Sequence, residues 1–261
     1  MIIDTIPGVV VLVLFTYGLI KLLMGLRAEA LHWWFMAAEV GFWIWVAYTA
    51  LNLANQVGEE FSLTIEGSWQ SLGNDIHYLN KLHEKVLDWL FYEAKVEAVL
   101  QATIILSPLA NTLNAITFPW KLLLTYSLSF ILGGYFLGLL MLPYYQAFVT
   151  VGATLLVVPR LRQLGAPLYS AYLVYGPTFL LISRAARDAL NNPAVTAVPP
   201  SYEWWNLGNP DLLINIASKM AQASLVIFQT AIHIMAALVI AGALSLAVSG
   251  ALGGPGIRLR V

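Results

Sequence analysis

The sequence has no cysteine and little charge. Without a cysteine in its 261 residues, disulfides, thiolate nucleophiles and cysteine-based metal sites are excluded. Charged residues make up only 10% of the chain and hydrophobic ones 59%, where a soluble domain is about a quarter charged. That is too little charge to coat a globule of this size, and the mean hydropathy is +0.75. The signatures of common enzyme sites are missing too. No glycine-rich loop ends in Lys-Ser/Thr, no His-Glu-x-x-His occurs, and there is no Gly-x-Ser-x-Gly elbow. Of the four histidines, only His77 and His83 are close, and a spacing of six does not put them on one helix face. No metal or cofactor site is expected, and the chain is read as a non-enzyme.

What is abundant is apolar sequence. Runs of about 20 residues, the length that spans a bilayer core, recur along the chain. The expected fold is all-α: one polytopic membrane domain over residues 1–261 with about seven transmembrane helices. Asp4 stands where a cleavable signal wants Lys or Arg, so the N-terminus reads as a first span, Val9 to Leu26. The others are expected at Leu31–Asn55, Val96–Phe118, Leu122–Leu142, Ala147–Val158 and Gly165–Ser183, with the last apolar from Ala223 to Val248. Pro119-Trp120-Lys121 reads as a turn, and Pro143-Tyr144-Tyr145-Gln146 as a second. The segment 96–118 is the most polar, with Glu97, Gln101, Asn111, Asn114 and Pro108, so whether it crosses fully is left open.

Two stretches break the apolar pattern. Residues 55–95 are polar and expected to be extracytoplasmic, first a loop and then an amphipathic helix. Leu72, Ile76, Leu79, His83, Val86 and Leu90 follow a heptad-like spacing, with Asp75, Lys81, Glu84, Lys85, Asp88 and Glu93 mostly off the stripe. The helix is expected to run from about Leu72 to Ser107. Such a stripe needs a partner, in this chain, in another subunit or at the membrane surface. Residues 184–211 form an expected external loop, rich in proline and tryptophan.

Charge sets the orientation. With the N-terminus outside and the C-terminus in the cytoplasm, the inner flanks hold Lys21, Arg27, Lys121, Arg160, Arg162, Arg258 and Arg260, seven of the 13 basic residues, beside a single acidic one, Glu29. The expected location is the cytoplasmic membrane.

Few polar residues fall inside the apolar runs. Glu39 lies two turns into the second span, either as part of a polar path or proton site, or as a packing group near the headgroups. With Gln101, Asn111 and His233 it would form the site of a secondary transporter or channel for small solutes or ions. Gly134-Tyr135-Phe136-Leu137-Gly138 is a small-xxx-small pattern, so Gly134 and Gly138 are expected to make a helix-packing face.

One segment is more specific. Val157-Val158-Pro159-Arg160-Leu161-Arg162-Gln163-Leu164-Gly165-Ala166 resembles an element of archaeal CedA-like DNA-import membrane proteins, relatives of the TrbL-type polytopic subunits of type IV secretion systems. There an apolar span ends in proline and arginine, and Gly-Ala opens the next, proline-containing span; Pro177 supplies that proline here. The run from Ala243 through Ser249 and Gly250 to Gly253-Gly254 is similar to the family's final span. It departs in delaying its arginines to Arg258 and Arg260. The close matches cover about a quarter of the chain. The resemblance implies a channel or scaffold subunit for DNA transfer across the cytoplasmic membrane. Its implied partners are a cytoplasmic hexameric secretion-type ATPase, small pilin-like membrane proteins, further copies of itself, transiently DNA, and the lipid bilayer. Arg160, Arg162, Arg258 and Arg260 could then rim the cytoplasmic face and attract phosphate, or could serve only to orient the helices.

Overall fold

The computed structural model describes residues 2–60, 64–158, 160–197, 207 and 209–254, with the side chains of 2–8, 57–60 and 104 left aside. Pro159, Trp204, Trp205, Arg258 and Arg260 lie outside the described residues. Among those described, the chain is all-helical, without strands. The helices are α1 (Ile2–Leu23), α2 (Arg27–Glu60), α3 (Ile65–Asp75), α4 (His77–Ala102), α5 (Ser107–Met141), α6 (Tyr145–Val157), α7 (Arg162–Asn191), α8 (Pro193–Thr196) and α9 (Pro210–Ala251). Three stretches are long and apolar enough to cross a membrane: Arg27–Gln56, the run Ser107–Val157, and Pro210–Ala251. Val9–Leu23 is apolar but shorter.

The segment 96–118 is not a single span. It holds the end of α4 and the start of α5, and the chain turns between them at Thr103, whose backbone is extended. Pro108 falls in the first turn of α5, where a missing N–H costs nothing. The expected turn at Pro119–Lys121 does not form, and α5 runs straight through Pro119. The physical reason is Lys121, which is held by carboxylates on α4 instead of seeking water in a loop. Nor is Pro143–Gln146 an open turn: a short 3-10 link at Leu142–Tyr144 joins α5 to α6. The helix expected over Leu72–Ser107 is interrupted at Ile76 and ends at Ala102.

The chain divides into two compact units. The first comprises Met1–Ser71, Leu140–Thr178 and Val239–Val261. Within it, α1 and α2 make an antiparallel hairpin. Gly25, at φ +81°, caps α1 in a Schellman motif, with Leu26 N–H donating to Lys21 O and Gly25 N–H to Leu22 O. Phe15 stacks on Trp34, whose Nε1–H donates to the Phe15 carbonyl. The segment 162–178 of α7 runs parallel to α2: Arg162 meets Glu39, and Tyr169 Oη–H donates to the Ala47 carbonyl at 2.9 Å. α6 and the end of α9 run the opposite way. Trp69 of α3 is buried, stacked between Tyr145 and Tyr172, with its Nε1–H on the Tyr172 carbonyl at 3.0 Å. A Cβ on Gly176 would strike that indole, so the glycine makes room for it.

The second unit comprises Leu72–Leu139 and Phe179–Leu238. α4 and α5 are antiparallel neighbours, tied by Ile76 against Gly138 at one end and Glu93 with Lys121 towards the other. Gly134 faces Ile182 of α7 and Ile234 of α9. At the far end Val96, Leu100, Ala110, Leu113, Leu213 and Ile216 form an apolar core. The heptad stripe therefore packs against its own chain. Its register differs from the expected one, because Leu82 and Trp89 are the buried residues and His83 and Leu90 are only half-buried. In the corrected register Glu93 lies on the stripe, and it is 2% exposed.

Candidate functional site

The first site is built around Arg162, the first residue of α7. A cation at a helix N-terminus opposes the helix dipole, so this one needs compensation from its neighbours. Glu39 of α2 supplies a carboxylate, Oε1 to Nη2 at 3.1 Å. The guanidinium lies over the Trp43 ring, 3.8 Å from its centroid, a cation–π arrangement. Nε–H donates to the Leu156 carbonyl at 3.3 Å, near the C-terminal end of α6, where the dipole is negative. The end of α9 closes the cluster. Gly253, at φ +84°, caps α9 in a second Schellman motif, Gly254 N–H to Ser249 O and Gly253 N–H to Gly250 O. A Cβ on Gly253 would lie 2.8 Å from Arg162 Cδ, and one on Gly254 would lie 2.8 Å from the Ala166 methyl.

The α6–α7 hairpin that carries Arg162 is unusually close. A Cβ on Gly165 would sit 2.3 Å from Leu156 N and 2.8 Å from the Gly152 carbonyl oxygen; one on Gly152 would sit 2.8 Å from Tyr169 N. Backbone touches backbone across this hairpin, which explains why a Gly-Ala pair follows the arginines. Ser249 Oγ, buried beside Gly254, has no hydrogen-bond partner among the described residues.

Arg162 and Glu39, expected in two different roles, are thus partners. Arg160 is exposed on the turn. Of the expected small-solute path, Glu39 belongs to the first unit, whereas Gln101, Asn111 and His233 belong to the second. Gln101 and Asn111 are exposed beside the α4–α5 turn. His233, next to Ile234 at the level of Gly134, is some 23 residues along α5 from Asn111, about 35 Å at 1.5 Å per residue. The three do not share a pocket. Gly134 and Gly138 do form a packing face, against Ile234, Ile182, Ile76 and Phe179 of the same chain.

A second polar cluster went unread in the sequence. Lys121 Nζ reaches Glu93 Oε1 at 2.8 Å, Glu97 Oε2 at 2.9 Å and Asn114 Oδ1 at 2.9 Å. Thr117 Oγ1–H donates to Glu93 Oε1 at 2.8 Å, and Gln101 Nε2–H to Glu97 Oε1 at 3.1 Å. Each carboxylate thus has at least two donors, the condition for burying charge without a large penalty. The signal was in the register: shifting the stripe onto Leu82 and Trp89 puts Glu93 in the core. Among the described residues, no group of three or more His, Cys, Asp and Glu side chains is placed to hold a metal ion.

No family model matches the chain, and searches of curated proteins and of solved structures also return no match. Among the described residues, the fold defines an all-helical protein with three helical stretches long and apolar enough to cross a membrane.

Proposed function

We propose that the chain is a polytopic channel or scaffold subunit of a type IV secretion-like DNA-import machine, seated in the cytoplasmic membrane with its N-terminus outside. One observation carries this reading. The two segments on which the family resemblance rests lie about 90 residues apart in sequence, yet they pack on each other. Gly253 and Gly254 lie against Arg162 and Ala166, and Glu39 and Trp43 complete the cluster. Arginines paired in this way hold a helix hairpin in place, while exposed Arg160 stays available to phosphate. In the first unit α1, α6 and the end of α9 run one way and α2 and α7 the other, which suits an outer N-terminus and an inner C-terminus. On this reading the partners are a cytoplasmic hexameric ATPase, small pilin-like membrane proteins and further copies of the chain.

The test is deletion of the gene in the organism that carries it, with DNA uptake and small-solute uptake measured side by side. Loss of DNA uptake with solute uptake intact, restored by the wild-type gene, is the expected result. Normal DNA uptake in the deletion strain overturns the proposal.

A further inference from the structure

The second unit carries a cleft that the proposed function leaves unused. It lies along one flank of α4. Lys85, Asp88, Tyr92 and Lys95 follow one another at spacings of three and four, which puts them on one side of the helix. The facing wall is α8 with Ala197 beyond it, and between the walls lies a cavity of about 380 Å³. That volume falls in the range of small-molecule sites, roughly 300–1,000 Å³.

Local structure holds the facing wall in place. Asn192 caps α8, its Oδ1 accepting from Ala194 N–H at 2.9 Å. Pro193 takes the first helical position, where no N–H is needed. Val195 is buried, and its carbonyl accepts from Trp89 Nε1–H at 3.4 Å. α8 is thereby fastened to the same stretch of α4 that forms the opposite side. The cleft is part of the fold and needs no ligand to form.

Its chemistry is a cation beside rings. The charged lining residues are Lys85, Lys95 and Asp88, and their formal charges leave one positive charge over. Asp88 is held by Lys85, Oδ2 to Nζ at 2.9 Å, so the uncompensated cation is Lys95. It is exposed and makes no ion pair among the described residues. Phe91 and Tyr92 lie one helical turn before it. Phe91 is 68% exposed, a large apolar ring on a charged flank. Tyr92 is half-buried and edge-on to Trp89, with ring centroids 6.4 Å apart. On the facing wall the Thr196 hydroxyl donates to the Asn192 carbonyl at 3.2 Å, and its oxygen can still accept.

The complement of this lining has two parts. A flat apolar ring would cover Phe91 and Tyr92, and one anionic group would meet the Lys95 ammonium in a charge-assisted hydrogen bond. A second anionic group would meet Asp88. A neutral ring would leave Lys95 without its complement, and a cationic one would be repelled. We infer that the cleft is a binding site for a small organic monoanion built on a flat ring, such as an aryl carboxylate. Its two walls come from residues 55–95 and 184–211, the stretches expected outside the membrane. On the proposed topology the ligand therefore reaches the cleft from the exterior. The inference goes beyond the DNA-import reading and requires neither DNA nor a partner chain.

The test uses the full chain in detergent, with 4-fluorobenzoate as the probe and its fluorine line broadening as the readout. Empty micelles give the background. Neutral 4-fluorobenzamide and ringless fluoroacetate are run beside it. Lys95→Gln and Phe91→Ala change the cleft at exposed positions, and Lys81→Gln removes an exposed cation elsewhere on α4. Fluorobenzoate is expected to bind the wild-type chain. Lys95→Gln should weaken it about tenfold, the scale of one charge-assisted hydrogen bond. Phe91→Ala should weaken it severalfold, and Lys81→Gln should leave it unchanged. Both comparison probes should bind several times more weakly. No broadening beyond the micelle background overturns the inference. So does benzamide or fluoroacetate binding as well as benzoate, or a Lys95→Gln chain that binds like wild type. Equal weakening by Lys81→Gln and Lys95→Gln would mean diffuse surface charge and overturns it too. No arm involves DNA, so the cleft and the DNA-import reading can fail separately.

Discussion

Gly165 offers the sharpest test of the α6–α7 hairpin. Substituting alanine there adds one methyl group, and its nearest neighbours would be Leu156 N at 2.3 Å, Leu155 C at 2.6 Å and Gly152 O at 2.8 Å. All three are backbone atoms, so no side chain can rotate out of the way. Gly133, in the middle of α5, is the natural control: it is exposed, and its added Cβ would meet nothing within 4 Å. Both substitutions gain up to about 1 kcal/mol of helix propensity. Only Gly165→Ala meets overpacking, which typically costs about 1–3 kcal/mol and more when backbone must move. The difference between the two variants removes the shared propensity gain and leaves the clash, about 2 kcal/mol or more. At about 2–4 °C per kcal/mol for a chain of this size, Gly165→Ala should melt about 4–8 °C below Gly133→Ala. Heating the detergent-solubilised protein and following tryptophan fluorescence or the monodisperse fraction reads this directly. Indistinguishable midpoints would mean that the two backbones do not touch at Gly165, and the physical reason given for the Gly-Ala pair would go with them.

The buried cluster in the second unit gives another test. Lys121→Met leaves Glu93, 2% exposed, with Thr117 and no cation from Lys121, at an expected loss of about 3–5 kcal/mol. Adding Glu93→Gln should return much of it, and a double variant no more stable than the single one would refute the pairing account. Orientation is checked at Gln163, which is exposed beside the Arg162 cluster. A cysteine there should resist a membrane-impermeant maleimide in intact cells and react after permeabilisation, so labelling from outside would reverse the assigned topology.

Periodicity and composition made the helical class legible, as they did the apolar stretches in α2, α5 and α9. What they could not supply was partnership. Lys121 beside Pro119 reads as a turn on local rules, because proline and a lone cation both favour loops. Only the approach of Glu93 and Glu97, 24 and more residues away, turns it into a helix-interior residue. Glu39 and Arg162 show the same limit: each stands out alone in the sequence, but a separation of 123 residues hides their pairing. Carrying one heptad count through Ile76, where the helix is interrupted, puts His83 on the stripe in place of Leu82. That slip also carried Glu93 off the core face.

The Lys121 cluster has a consequence for biosynthesis. Glu97 precedes Lys121 by 24 residues, and Glu93 comes earlier still, so both carboxylates have left the ribosome before the lysine emerges. On the proposed topology, once the turn at Thr103–Leu106 closes, α5 would reach the translocon with its cation already matched. The same order holds for Arg162, which follows Glu39, whereas Lys21 has Glu29 as its partner only eight residues later. On the proposed topology, the charge that would steer insertion then falls on Arg27 and Arg160. Neutralising those two should disturb orientation during synthesis while leaving the ion pairs of the finished fold in place.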